Sequence, residues 1–87
     1  MTLGEVLAKL KDDAAVAELI VGLGELSLLA IARERAQADG VDLVTYARYA
    51  VQRYAVEASA EEWLNAMGAL SRASDPGMAF LKRALAA

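Results

Sequence analysis

Two adjacent glutamates, Glu61 and Glu62, are the side chains of this sequence that come closest to an acid–base pair. Such a pair could act as general acid and general base if its surroundings separated the two pKa values. The chain has no cysteine or histidine, which excludes thiolate nucleophiles, Ser-His-Asp triads and the usual zinc sites. Nothing nearby supplies a nucleophile, and Glu62 completes a Ser-x-x-Glu capping box with Ser59. We therefore expect structural roles for both glutamates and no enzymatic activity.

Arginines are a second group that could do chemistry, because guanidinium groups bind phosphates and carboxylates. Acidic residues are interleaved with them, and nine basic against twelve acidic residues give a formal charge of −3. A nucleic-acid-binding domain normally carries a basic stripe that neutralises phosphates. The charge balance argues against a nucleic-acid partner. It favours a mixed, solvated face, on which the candidate polar contact surface is formed by Arg33, Arg48 and Arg53.

The aromatic residues could form a stacking platform for bases or for a flat ligand. The three-and-four spacing of the surrounding apolar residues places Tyr46 and Tyr54 on a buried helical face and leaves Tyr49 off it. Trp63 is the single tryptophan, and we expect it to pack on the helix that carries the tyrosines. A tryptophan is also a common hot spot of interfaces. The predicted candidate interface consists of Leu23, Leu26, Leu29, Tyr49 and Trp63.

Metal, cofactor and phosphate sites have little support in the sequence. Asp12 and Asp13 are adjacent acids, but no window has the alternating acidic loop of an EF-hand, so a helix-capping role is expected. Gly22 and Gly24 lack the lysine and hydroxyl of a phosphate-cradling loop. We predict no metal and no cofactor, and no small-molecule ligand is evident from the sequence.

The helix that must position the tyrosines lies within residues 40–58. Asp42 is a suitable N-cap, and Gly40 is a suitable end for the preceding helix. The apolar side chains recur at helical spacing and are Leu43, Tyr46, Ala47, Ala50, Val51 and Tyr54. This helix is the predicted centre of the fold.

Capping signals mark the other helices. Capping boxes begin at Thr2 and Ser59, an aspartate at 12 or 13 caps a second segment, and Asp75 followed by Pro76 opens the last helix. No repeat or long linker divides the chain. The sequence therefore predicts one all-α domain over residues 1–87, a small bundle of four to six short helices.

Residues 19–32 form the most apolar stretch and contain a single charge, Glu25. The stretch is too short for a membrane span, which needs ~20 apolar residues, so we expect burial in a core or an interface. Three structures fit it: one long helix, two helices with a break at residues 22–24, or a short strand at residues 19–23 followed by a helix. The two glycines favour the break.

The small size of the chain limits how much apolar surface it can bury. It has 87 residues, of which 57% are apolar, and many of these are alanines. An apolar face left open usually marks an oligomer, so the predicted protein partner is a second copy of the chain. The sequence begins without a basic leader and a long apolar run, which favours a cytoplasmic location without a membrane anchor.

The two helices on either side of Gly40 are marked by three features of the sequence. A glycine ends the first helix, a capping residue follows two positions later, and an arginine stands between apolar positions of the second helix. The matching residues are Gly40, Asp42, Tyr46, Ala47, Arg48, Ala50, Val51 and Tyr54. In this pattern residues 25–55 resemble the helix-turn-helix half of the ribbon-helix-helix family of dimeric bacterial regulators and antitoxins.

The resemblance implies a strand before the first helix, which pairs with the same strand of a second subunit and reads the major groove of DNA. Residues 20–24 stand at that place, and their aliphatic side chains and glycines cannot read a base edge. The function we predict is therefore a non-enzymatic protein-interaction or dimerisation module: an adaptor, regulator or antitoxin-like partner. The alternative is a dimeric DNA-binding regulator of the ribbon-helix-helix type.

Overall fold

The computed structural model describes residues 3–87, which fold into a bundle of six α-helices. No strand occurs in this part of the chain. The predicted all-α class, with four to six short helices, is confirmed. The capping box predicted at Thr2 rests on a residue outside the described range. The helices are α1 Leu3–Lys9, α2 Asp13–Val21, α3 Leu26–Asp39, α4 Leu43–Glu57, α5 Ala60–Arg72 and α6 Pro76–Ala86.

Side-chain caps fix the starts of four helices. Asp12, Asp42, Ser59 and Asp75 each accept a hydrogen bond from a backbone amide two or three residues ahead, at 2.8–3.2 Å. Each bond satisfies one of the amides that the first turn of a helix leaves without a partner. Asp12, rather than Asp13, is the cap of α2. The bond from the Thr45 amide lowers the pKa of the Asp42 carboxyl below its ordinary value.

The glycines break the apolar stretch as expected. Helix α2 ends at Val21, and α3 begins only at Leu26. Gly24 takes φ +74°, a left-handed conformation that L side chains rarely adopt, so a continuous helix is disfavoured there. The alternative of a strand at residues 19–23 is wrong: Leu19 and Ile20 lie on the buried side of α2, where the helical amides bond within the helix.

Helices α4 and α6 share the centre of the bundle. Helix α4 packs against α2, α3 and α6, while α6 contacts α1, α3, α4 and α5. Tyr46 and Tyr54 are buried and Tyr49 is exposed, as their spacing predicted. Helix α3 meets its neighbours through small residues, Ala32 and Ala36, which allow close approach. The largest fully buried side chains are Phe80, Leu10, Leu81, Leu85, Val6 and Val16.

Candidate functional site

Helix α5 has more apolar surface than its neighbours cover. Trp63, Ala66 and Leu70 turn toward the core, and α6 is the main helix that α5 packs against. Leu64 and Met67 are 72% and 50% exposed. At about 100° per residue, the apolar arc from Ala66 round to Leu64 covers about 160° of the helix circumference, wider than one helix contact needs. We call the uncovered part, formed by Ala60, Leu64, Met67 and Ser71, the outer face of α5.

Charged residues and a glycine flank the outer face. Gly68 lies between the two charged ends, and a Cβ placed on it would lie 3.5 Å from a guanidinium nitrogen of Arg72. The Arg72 side chain therefore lies along this side of the helix. Glu61 stands at the opposite end, in the first turn. Neither Glu61 nor Arg72 forms an ion pair within residues 3–87.

The residues predicted for the interface are distributed over the surface and the core. Leu26, which is 80% exposed, and Tyr49 are open to solvent, whereas Leu29 and Trp63 are partly buried against the core. Leu23 is 2% exposed and belongs to the core, because the link between α2 and α3 folds it inward. The predicted interface is corrected at this position.

Helical spacing alone does not separate the outer face of α5 from its buried side. Trp63, Leu64, Met67 and Leu70 all fall within one apolar arc of the helix. The width of that arc is the sequence signal for an uncovered face, since one neighbouring helix covers only part of it.

One of the three arginines in the predicted polar contact surface is already engaged in an ion pair within the chain. Arg33 and Arg53 are exposed and have no ion-pair partner in the described part of the chain. Arg48 donates to Asp13 at 2.8 Å and so ties α4 to the start of α2. The Arg48 Nε atom is buried without a hydrogen-bond acceptor.

A polar cluster joins α4, α5 and α6 at Glu62. The Glu62 carboxylate accepts a hydrogen bond from the Tyr54 hydroxyl and one from Arg83, the latter at 2.9 Å. The predicted capping box is therefore formed in one direction. Ser59 accepts from the Glu62 amide at 3.1 Å, while the Glu62 side chain turns to partners on other helices.

Aromatic rings pack beneath this cluster. The Tyr54 and Phe80 rings meet edge to face with centroids 5.4 Å apart, a favourable geometry for two aromatic quadrupoles. Trp63 lies 6.3 Å from Tyr54 and 5.9 Å from Phe80. The prediction that Trp63 packs on the central helix is confirmed, and one ring from each of α4, α5 and α6 holds these helices together.

Burial raises the pKa of the Tyr54 hydroxyl above its ordinary value of 10.0, and the hydrogen bond to Glu62 raises it further, while Arg83 opposes the shift. The folded protein thus favours the neutral phenol. This contribution to stability is fully present below about pH 10 and is lost as the pH rises through the folded-state pKa.

We expect absorbance titration of the tyrosinates to show a component that ionises later than free tyrosine. The free energy of unfolding should fall above about pH 10, and fall less steeply in Tyr54→Phe than in the wild type. Tyr49→Phe is the control and should keep the late component. Retention of that component in Tyr54→Phe would contradict the assignment.

Within residues 3–87, no three side chains of the histidine, cysteine, aspartate or glutamate type converge on a metal position. None of the helices in that range has both the length and the hydrophobicity to cross a membrane.

Comparison with known proteins was made by sequence and by structure. No protein-family model, no curated protein and no solved structure matches the chain.

Proposed function

We propose that the protein is a non-enzymatic dimerisation module and that the outer face of α5 is its self-association surface. The observation that carries the proposal is the exposure of Leu64 and Met67 side by side on one helix face. Exposed apolar side chains grouped in this way are typical of interaction surfaces. A further helix laid along the outer face would remove both side chains from water.

Charge complementarity selects a second copy as the partner. In two antiparallel α5 helices related by a two-fold axis between Ala66 and Met67, Glu61 of one copy lies opposite Arg72 of the other, because both residues are equally far from the axis. Two-fold symmetry forms this pair twice. The same register sets Leu64 level with Ala69 of the other copy, next to Gly68, where the missing side chain leaves room for it. The antiparallel arrangement of two α5 helices thus packs the apolar faces together and also forms two ion pairs at their ends.

The size of the surface predicts a weak dimer. One helix face per subunit lies near the lower limit for a specific complex, about 1,200 Å² in total. We therefore expect a dissociation constant on the order of 10 µM. Such an equilibrium responds to concentration and suits a regulatory or adaptor protein better than a permanent assembly.

Light scattering across a concentration series tests the proposal. The wild-type mass should rise from 9.2 kDa toward twice that value as the concentration increases. Met67→Glu should weaken association at least about tenfold, because a carboxylate would be buried without a partner. Leu26→Glu is the matched control: it introduces the same charge at an exposed leucine on α3 and should leave the dimer intact.

A charge exchange tests the register. Glu61→Arg and Arg72→Glu should each weaken the dimer by placing like charges opposite each other, and the double variant should restore it. A wild-type protein that stays monomeric at about ten times the expected dissociation constant would overturn the proposal. Equal loss in Leu26→Glu and Met67→Glu would place the interface elsewhere.

A DNA-binding regulator remains the alternative proposal. It is supported by the α3–α4 pair, in which Gly40 ends the first helix with φ +71° and Asp42 caps the second. The net charge of −3 and the helical backbone at residues 19–21 weigh against it. Salt-dependent fluorescence anisotropy with duplex DNA would support it, and anisotropy that stays flat at low salt would dismiss it. The cytoplasmic location also stays a prediction.

A further inference from the structure

A groove opens between α4 and the end of α6, on a different side of α5 from its outer face. Its volume is about 560 Å³, within the range of small-molecule sites. Alanines form much of its lining, and their short side chains leave the space unfilled. The buried rings of Tyr46 and Tyr54 contribute from α4. The apolar part of the lining comes from Ala50, Ala58, Ala84, Ala86 and Ala87.

The polar cluster at Glu62 forms part of the groove lining. Glu62 is held by Tyr54 and Arg83, so its carboxylate is already hydrogen-bonded. One guanidinium nitrogen of Arg83 forms the ion pair with Glu62. Further N–H donors remain on Arg83, since a guanidinium carries five. The cluster thus fixes an arginine at the groove whose remaining donors are available.

Arg53 supplies a second cation at the groove. It lines the groove from α4, is exposed, and forms no ion pair or hydrogen bond with the rest of residues 3–87. Glu57, one turn further along α4, also lines the groove but forms no ion pair with Arg53. A second, smaller cavity of about 370 Å³ shares Tyr46 and Arg53 with the groove, and Arg35 extends the basic lining there.

We propose that this groove binds a small organic monocarboxylate, with the carboxylate held by Arg53 and Arg83 and the apolar body lying on the alanine lining. Two guanidinium groups with free donors favour an anionic oxygen pair, which they can bind in bidentate fashion. Glu57 disfavours ligands of higher negative charge by direct repulsion. The lining accommodates an aliphatic chain better than a sugar or nucleotide, because alanines form much of it.

Octanoate is the probe, and amide NMR spectra are the measurement. Saturable shifts should appear at the alanine amides of the groove, with a dissociation constant on the order of 1 mM. Arg53→Gln should weaken binding about five- to tenfold by removing one charged donor group. Glu57→Gln should tighten it about two- to fivefold by removing the repulsion. Octanamide, which has the same chain without the charge, should bind at least about fivefold more weakly.

Control variants separate this site from other surfaces. Arg33→Gln removes an exposed arginine that does not line the groove and should leave the octanoate affinity unchanged. Met67→Glu should also bind octanoate as the wild type does, so the groove can be established or rejected independently of the dimer. Equal binding of octanoate and octanamide, or loss of affinity in Arg33→Gln as large as in Arg53→Gln, would overturn the proposal. Shifts that do not saturate would overturn it as well.

Discussion

Phe80→Ala is expected to destabilise the fold by about 3–5 kcal/mol, the usual cost of removing a large aromatic side chain from a core. Phe80 is 0% exposed and contacts Tyr54 and Trp63, which come from the two other helices of the aromatic cluster. The substitution removes the transfer free energy of the ring, leaves a cavity, and deletes two aromatic contacts. A domain of this size has a free energy of unfolding of roughly 5–10 kcal/mol, so most of its stability should be lost.

Urea denaturation followed by far-UV circular dichroism measures the effect. Phe80→Leu should cost less, about 1–2 kcal/mol, because it fills part of the cavity, and it keeps the prediction measurable if Phe80→Ala is unfolded. Leu26→Ala is the matched surface control, with an expected change within about 0.5 kcal/mol. A Phe80→Ala protein as stable as Leu26→Ala would show that α6 does not pack at the centre of the bundle.

The helices could be predicted from the sequence because their signals are local. Asp42, Ser59 and Asp75 each lie within three residues of the amide that they cap, so residue type and spacing are enough to place the helix starts. Gly40 ends α3 in the left-handed conformation for a reason that is also local: a residue with a side chain would be strained there.

Pairings between distant residues could not be predicted in this way. Arg48 meets Asp13 across 35 positions of sequence, and Arg83 meets Glu62 across 21. Hydrophobic periodicity gives the face on which a residue lies but not the element that covers it. Arg48 could therefore be assigned to a solvated face, although its guanidinium ties two helices together. The groove at Arg53 and Arg83 depends on the same kind of distant approach.

The burial of individual leucines could not be predicted from their spacing. The sequence placed Leu23 on an interface, whereas Leu23 is buried, and Leu64 is exposed. Both residues have the same side chain and lie next to a helical apolar pattern. Burial is thus a property of the tertiary arrangement, and the number of apolar residues sets only how much surface must be covered.

The local sequence pattern also could not show that the Glu62 carboxylate bonds to other helices instead of completing its capping box. A glutamate three residues after a serine predicts a reciprocal capping box, yet the carboxylate bonds to Tyr54 and Arg83 instead. A charge-assisted bond to a guanidinium, together with a phenol, satisfies the carboxylate better than one exposed amide does. Ser59 still caps the helix, and the Glu62 carboxylate bonds to Tyr54 and Arg83.

Glu62→Ala should cost about 2 kcal/mol of unfolding free energy, the second largest effect that we expect. The larger part comes from the Tyr54 hydroxyl, whose part-buried bond to Glu62 loses its acceptor. The ion pair with Arg83 contributes less than about 1 kcal/mol, because the Glu62 side chain is 39% exposed and solvent screens it. Glu62→Gln keeps an acceptor and should cost less than Glu62→Ala. Glu61→Ala removes a glutamate from the same first turn and should cost only about 0.3–0.5 kcal/mol.

The double variant Tyr54→Phe with Glu62→Ala decides whether the pair acts as a unit. Once the hydroxyl is gone, removing the carboxylate leaves no donor without its acceptor. The double variant should therefore be destabilised by about 1 kcal/mol less than the sum of the two single variants. Glu62→Ala should also lower the pKa of Tyr54 toward its ordinary value, because one of the causes that raise it is removed. Strict additivity of the two substitutions, with an unchanged titration of Tyr54, would mean that the hydroxyl is satisfied by water and that its bond to Glu62 does not hold α4 to α5. A measured coupling would instead identify the Tyr54–Glu62 bond as a stabilising link between these two helices.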